Sequence, residues 1–185
     1  MMTDDYGLEQ KFCRLGDEVS VTDGAVISGY ASLFGLPDQG GDVVLAGAYG
    51  AGLKRLAATG GSVKMLWQHD PAQPIGVWDE IREDARGLWV KGRLLPEIEK
   101  AREAAALIGA GAIDGLSIGY RTVASEKNAK GQRLLAELEL WEVSVVTFPM
   151  LSQARVGAKG AQPEADELRE LAAMLSDATR KLADR

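Results

Sequence analysis

Residues 75–95 carry two alternating segments, IGVWDEIRED and GLWVKGRLL, on either side of an Asp84-Ala85-Arg86-Gly87 turn. Alternation at period two across such a turn is the pattern of a β-hairpin. A chain that commits its middle to a hairpin must find neighbours for both edges, because unpaired strand edges are a liability. Further strand-like segments supply them: AVISGYASLF (25–34), SVKMLWQH (62–69), the segment containing Ser117, and the long LLAELELWEVSVVTFP (134–149), which ends at Pro149. Between the first two, GLPDQGGDVV (35–44) reads as a turn, and SEKNAKGQR (125–133) as another.

Helical spacing in this region is confined to two places. GAYGAGLKRLAAT (47–59) reads as a short helix weakened by internal glycines, and PEIEKAREAAALIGAG (96–111) as a helix with Pro96 at its first position. No regular strand–helix–strand alternation runs through the chain. The expected fold is mixed α/β but β-rich: a closed antiparallel-type β-barrel with surrounding helices, since closure removes edges.

The ends differ from the middle. Residues 1–24 are polar and read as a lead-in, with weak strand potential at Lys11–Leu15. The globular domain spans 25–156. Residues 157–185 read as a linker and a C-terminal amphipathic helix, the shift beginning in the small, polar run MLSQARVGAKGAQPEAD (150–166). The helix begins at Pro163, with Glu164, Asp166 and Glu167 at its positive end. Leu168, Leu171, Ala172, Leu175, Ala178 and Leu182 form one apolar stripe, which must dock on the body, another subunit or a partner.

Composition removes several function classes. A formal charge of −6 argues against a general nucleic-acid binder, which needs clustered Lys and Arg. No apolar run approaches the roughly 20 residues of a membrane span, and the acidic start Met1–Tyr6 is unlike a signal peptide, so a cytoplasmic protein without a membrane partner is expected. The single Cys13 rules out an internal disulfide, and one Cys with one His makes no ordinary zinc site. No metal or cofactor motif is present, and none is expected. Cys13 paired with His69 as a thiol nucleophile is a weak alternative, because Cys13 lies in the charged lead-in.

Gly115-Leu116-Ser117-Ile118-Gly119 matches the Gly-x-Ser-x-Gly string of the α/β-hydrolase nucleophile elbow. That elbow needs a helix after the serine, and an acid and a histidine later in the chain. Here Ile118–Val123 reads as strand, and the only histidine, His69, precedes the serine. The elbow is excluded, but a serine nucleophile is not. A serine hydroxyl needs a base, usually neutral histidine, and the imidazole needs an acid to orient it and to support its charge.

His69 falls at the strand-to-loop junction LWQHDPAQPIG, where it could instead be a loop residue bonded to Asp70 or the backbone. Ser117 could merely allow close packing between glycines. On the last strand, strict alternation puts Leu138, Leu140, Glu142, Ser144, Val146 and Phe148 on one face, and Glu139, Trp141, Val143, Val145 and Thr147 on the other. A carboxylate in such an apolar run wants a partner: a protonated His69, or an arginine such as Arg121, unless that face is exposed.

Three blocks in order, KMLWQHDPAQPIGVW, IDGLSIGYR and LWEVSVVTFP, strongly resemble the prohead proteases of tailed phages, serine peptidases related to herpesvirus assemblin. The resemblance runs from about Gly29 to Ala154 and implies that the domain at 25–156 is a protease domain with a herpesvirus-protease-like fold. It implies His69 as general base, Ser117 as nucleophile and Glu142 as the acidic third member, where assemblin has a second histidine. Gly40, Gly41 and Asp42 match a structural turn of the family, and Arg155 is a weak candidate for the oxyanion site.

The implied protein is a capsid-maturation serine endopeptidase of a phage, prophage or gene-transfer agent, working inside assembling procapsids. Its substrates would be scaffold or the scaffold-like N-terminal region of the major capsid protein, and also itself, cut through an acyl-enzyme. A homo-oligomer is expected. The alternative is a noncatalytic scaffolding or capsid-interaction protein on the same fold, using its terminal helix as the contact. A small-molecule esterase is a third reading, which would need an enclosed apolar pocket.

Overall fold

The computed structural model describes residues 9–13, 20–22, 25–38 and 40–147. Within them the elements run β1 (Glu9–Cys13), β2 (Ser20–Thr22), β3 (Val26–Leu33), β4 (Asp42–Val44), α1 (Gly50–Ala58), β5 (Lys64–Trp67), β6 (Asp70–Glu83), β7 (Gly87–Leu94), α2 (Glu99–Gly109), β8 (Gly115–Lys127) and β9 (Arg133–Val146). The linker, the helix expected from Pro163, and Arg155 lie outside the described residues.

The hairpin at 75–95 forms as β6 and β7, with Val77 opposite Arg93 and Glu83 opposite Leu88. Its turn is held by Asp84, whose Oδ1 accepts from the N–H groups of Arg86 at 2.9 Å and Gly87 at 3.2 Å. The Tyr30 hydroxyl donates to Asp84 Oδ2 at 2.8 Å and ties the turn to β3. β6 is longer than its alternation suggests, because Asp70–Pro74 reads as loop yet pairs with β5. Leu66 lies opposite Pro74 and Trp67 opposite Asp70. Pro71 fits because the register shift between Leu66 and Trp67 leaves it unpaired, which is where a residue without an N–H is tolerated.

All described strands belong to one sheet, in the order β1-β8-β9-β5-β6-β7-β3-β2, with β4 also pairing β9. The expected closed antiparallel barrel is corrected on two points. Among the described residues the hydrogen-bonded order is open, with β1 and β2 at its ends, although the sheet curls into a half-barrel that brings β3 against β1 and β8. The sheet is also mixed, since β4 and β5 both run parallel to β9.

The helix α1 links two segments that follow the same edge of β9 in one direction: the chain leaves β4 opposite Arg133–Leu135, passes through α1, and returns as β5 opposite Glu142–Val145. The helix fills the gap between them, where the N–H of Leu138 donates to the carbonyl of Ala48 at 2.9 Å. Gly52, which reads as a helix weakener, permits this approach, for a Cβ there would lie 2.3 Å from the Leu138 carbonyl oxygen. The second helix begins after Ile98, so Pro96 precedes it instead of opening it.

The core fills the curl. Ile27, Val90, Leu116, Ile118, Leu138, Val143 and Val145 are fully buried, and α2 adds Ala101, Ala104 and Ile108. The lead-in contributes more than expected: β1 pairs β8, and β2 pairs β3. An ionic cluster secures β1, with Arg133 bonded to both Glu9 and Asp42 and Thr122 bonded to Glu9. Asp42, of the Gly40-Gly41-Asp42 turn, thus has a structural task that a sequence match alone does not reveal.

Candidate active site

His69 sits in a two-residue turn between β5 and β6, flanked by the paired Trp67 and Asp70. Both turn residues have positive φ, 53° at Gln68 and 63° at His69. A two-residue hairpin loop with that geometry follows the strand twist, but normally uses Asn or Gly. Placing Gln and His there costs on the order of 1–3 kcal/mol each, and hydrogen bonds from β9 hold them. The Gln68 N–H donates to the Val145 carbonyl at 3.0 Å, and the His69 N–H donates to Ser144 Oγ at 3.2 Å. The expected strand-to-loop junction is therefore a tight, strained turn, aimed across β9.

Glu142 lies on β9 and is 6% exposed. Its Oε1 is 2.6 Å from His69 Nδ1, and the two side chains are 7% and 9% exposed. The Nδ1 edge of the ring thus faces the carboxylate, and Nε2 projects from the opposite edge. Arg121, the other partner considered for Glu142, bonds instead to Glu139 at 2.6 Å and 3.0 Å.

Strict alternation along β9 fails beside the candidate site. Gly119 lies opposite Glu142 and Tyr120 opposite Leu140, so Trp141 has no partner on β8 and forms a bulge. Leu138 and Leu140 consequently share the core face with Val143 and Val145, while Glu142 and Ser144 share the other face with Gly119 and Ser117. The bulge also puts Glu139, opposite Arg121, on the Glu142 face, where alternation had separated the two acids.

Ser117, on β8, is fully buried and lies directly opposite Ser144. Directly opposed residues hold their Cβ atoms about 4.5–5.5 Å apart, so Ser117 belongs to the patch formed by Ser144, Glu142 and the His69 turn. Gly119 has a specific role in that patch: a Cβ there would lie 2.2 Å from Glu142 Oε1. The last glycine of the Gly-x-Ser-x-Gly string therefore makes room for the carboxylate. Sequence reasoning missed this, and it also passed over Ser144, whose hydroxyl donates to Glu142 Oε2 at 2.5 Å. The available signal was the Glu142-x-Ser144 spacing.

Asp70, a possible partner of His69, instead accepts from the Ala72 N–H and the Gln73 side chain, both at 2.8 Å. Cys13 lies in β1 with its backbone opposite Leu116. No group of three His, Cys, Asp or Glu side chains suited to a metal ion occurs among the described residues, and no described helix is long and apolar enough to cross a membrane.

A buried histidine–carboxylate pair beside a buried strand serine is the equipment of a serine hydrolase. Known proteins resemble this chain over most of its length. The sequence is 31% identical over 155 residues to the prohead protease of Enterobacteria phage HK97, covering 82% of this chain and 68% of that protein. The structure is similar to the bacteriophage T4 capsid assembly protease, with a TM-score of 0.60 at 17% identity over 77% of this chain and 98% of that one. A KSHV protease in complex with a hexapeptide phosphonate inhibitor matches at a TM-score of 0.43 and 10% identity, over 83% of this chain and 76% of that one. The profile of the caudovirus prohead serine protease family matches residues 15–167, and the chain belongs to that family.

Proposed function

We propose that this capsid-maturation protease works through Ser117, His69 and Glu142 as nucleophile, general base and supporting acid. His69 Nε2 takes the proton of the Ser117 hydroxyl as Oγ attacks the scissile carbonyl carbon. The imidazolium then returns that proton to the departing amine, leaving an acyl-enzyme and the first product. A water molecule, deprotonated by the same nitrogen, attacks the acyl carbon and frees Ser117 with the second product. Glu142 keeps the proton of neutral His69 on Nδ1 and balances the charge of the imidazolium.

The observation that supports this reading best is the 2.6 Å contact between His69 Nδ1 and Glu142 Oε1. It is nearly water-excluded, so the attraction is weakly screened, and it orients the only imidazole in the chain. The position of Ser117 opposite Ser144 and the family membership add to it.

The substrates are scaffold or the scaffold-like N-terminal region of the major capsid protein, and the enzyme itself, cut inside the procapsid by a homo-oligomer that needs no cofactor. Co-expression with the cognate capsid protein, read by mass spectrometry of the products, tests this. Cleavage by the natural chain that disappears in Ser117→Ala is the expected result. Equal cleavage by Ser117→Ala would overturn Ser117 as the nucleophile, and an intact capsid protein with both would return the chain to a noncatalytic scaffolding role.

A further inference from the structure

The mechanism above leaves out one side chain of the patch. Ser144 is fully buried on β9. Its hydroxyl donates to Glu142 Oε2 at 2.5 Å and its oxygen accepts from the His69 backbone N–H at 3.2 Å. One oxygen atom therefore bridges the carboxylate and the backbone of the strained turn. With Oε1 against His69 Nδ1 and Oε2 against Ser144, the carboxylate cannot rotate without breaking a contact. Likewise the His69 N–H, which the positive φ of 63° directs toward β9, is satisfied by a side chain and not by the sheet ladder.

We propose that Ser144 is a positioning residue of the active site, fixing the Glu142 carboxylate and the His69 turn relative to each other. The proposal rests on the assignment of His69, Ser117 and Glu142 above. Ser144 is not a second nucleophile, because its single proton goes to Glu142, on the acid side of the imidazole. A hydroxyl can donate only once. Ser117 and Ser144 thus divide the work: one reacts, and the other holds the base and acid in register.

The test uses the full chain and a fluorophosphonate probe, with the labelled residue identified by peptide mass and the fold checked by circular dichroism. His69 is the only histidine, so its ring N–H resonance in the proton NMR spectrum is assigned without ambiguity. Ser144→Ala is expected to stay folded, to label Ser117 about a hundredfold more slowly, and to shift or lose the downfield N–H signal, because a misplacement near 1 Å costs about that much. Ser144→Thr keeps the hydroxyl and restores the signal and most of the rate.

If Ser144→Ala does not fold, Ser144→Cys, of similar size and far weaker hydrogen bonding, carries the same expectations. Wild-type labelling and an unmoved His69 signal in the variant lacking the hydroxyl would overturn the proposal. So would a folded Ser144→Thr as slow as Ser144→Ala, or probe attached to Ser144. Should the natural chain and Ser117→Ala both remain unlabelled, the nucleophile assignment fails instead, and the His69 signal still decides the role of Ser144.

Discussion

The carboxylate of Glu142 occupies the space that a side chain at Gly119 would fill, with a Cβ at that position only 2.2 Å from Oε1 and 2.9 Å from Cδ. Gly119 and Glu142 are cross-strand partners, so the smallest residue on β8 is what allows the acid to lie flat beside His69.

Gly119→Ala is therefore expected to displace the carboxylate and break its contact with His69. The methyl group meets the far end of a flexible side chain, so the stability cost stays at about 1–3 kcal/mol, while Ser117 reactivity falls about a hundredfold or more. Fluorophosphonate labelling beside a urea titration separates the two effects. Undiminished labelling in a folded Gly119→Ala protein would show that Glu142 does not need this space.

Glu142→Gln keeps the shape and a hydrogen bond but loses the charge that supports the imidazolium. It should lower kcat by a factor of about 10²–10⁴ with a smaller change in KM. Glu139→Gln should be nearly silent. The bulge puts Glu139 on the same face as Glu142, but Glu139 pairs with Arg121 and, at 3.8 Å, with Arg55, and surface pairs of this kind contribute about 0–1 kcal/mol. Peptide-cleavage kinetics on both variants distinguish them, and an inactive Glu139→Gln beside an active Glu142→Gln would reverse the assignment.

Trp141 is a bulge residue and 45% exposed, with Arg121 stacked on its ring at 5.7 Å. Trp141→Ala should leave fold and activity nearly unchanged. Deleting Trp141 should also keep every side chain on its face, because it makes Leu140 and Glu142 consecutive opposite the consecutive Tyr120 and Gly119 and so removes the bulge without a register slip. A thermal melt of the deletion variant far below that of Trp141→Ala would contradict this account of β9.

Two carboxylates predict how stability depends on pH. Burial alone would raise the pKa of Asp84, but the Arg86 N–H, the Tyr30 hydroxyl, the Gly87 N–H and Arg82 hold it below its ordinary 3.8. Burial likewise works against Glu9, yet hydrogen bonds from Arg133 and Thr122 and the charge of Arg133 bring it below 4.5. Both groups bind protons more weakly in the folded protein than in the unfolded chain. Their contribution is thus complete above about pH 5 and is lost as pH falls through the folded-state values. Denaturant midpoints should drop on acidification, and less steeply in Asp84→Asn and Glu9→Gln. Unchanged slopes in both variants would show that these contacts do not govern the acid limb.

Several features were legible in the sequence because they depend on local pattern. Period-two alternation marks the β6–β7 hairpin, and a single histidine with an acid in an apolar run narrows the candidates for a site. The ordered blocks around His69, Ser117 and Glu142 carried the family. What local pattern could not carry was the open order and parallel pairing of the sheet, because β4 and β5 pair with β9, a segment far from both in the chain. Weak strand potential at Lys11–Leu15 pointed to β1, but β2 and the pairing of β1 with β8 were hidden, since an ionic cluster with a residue as distant as Arg133 secures β1.

The sequence by itself determined which side chains were present to do chemistry, and that the body would be built of strands. Tertiary structure decided how they face one another. Trp141 leaves the ladder because β8 and β9 differ in register at that point, and this displacement sends Leu140 and Glu142 to opposite faces although they stand two positions apart. The turn at Gln68 and His69 adopts positive φ without the usual Asn or Gly because Val145 and Ser144 supply the hydrogen bonds that hold it. Both outcomes depend on contacts between residues far apart in the chain, whose free energies outweigh the local preferences that a sequence pattern records.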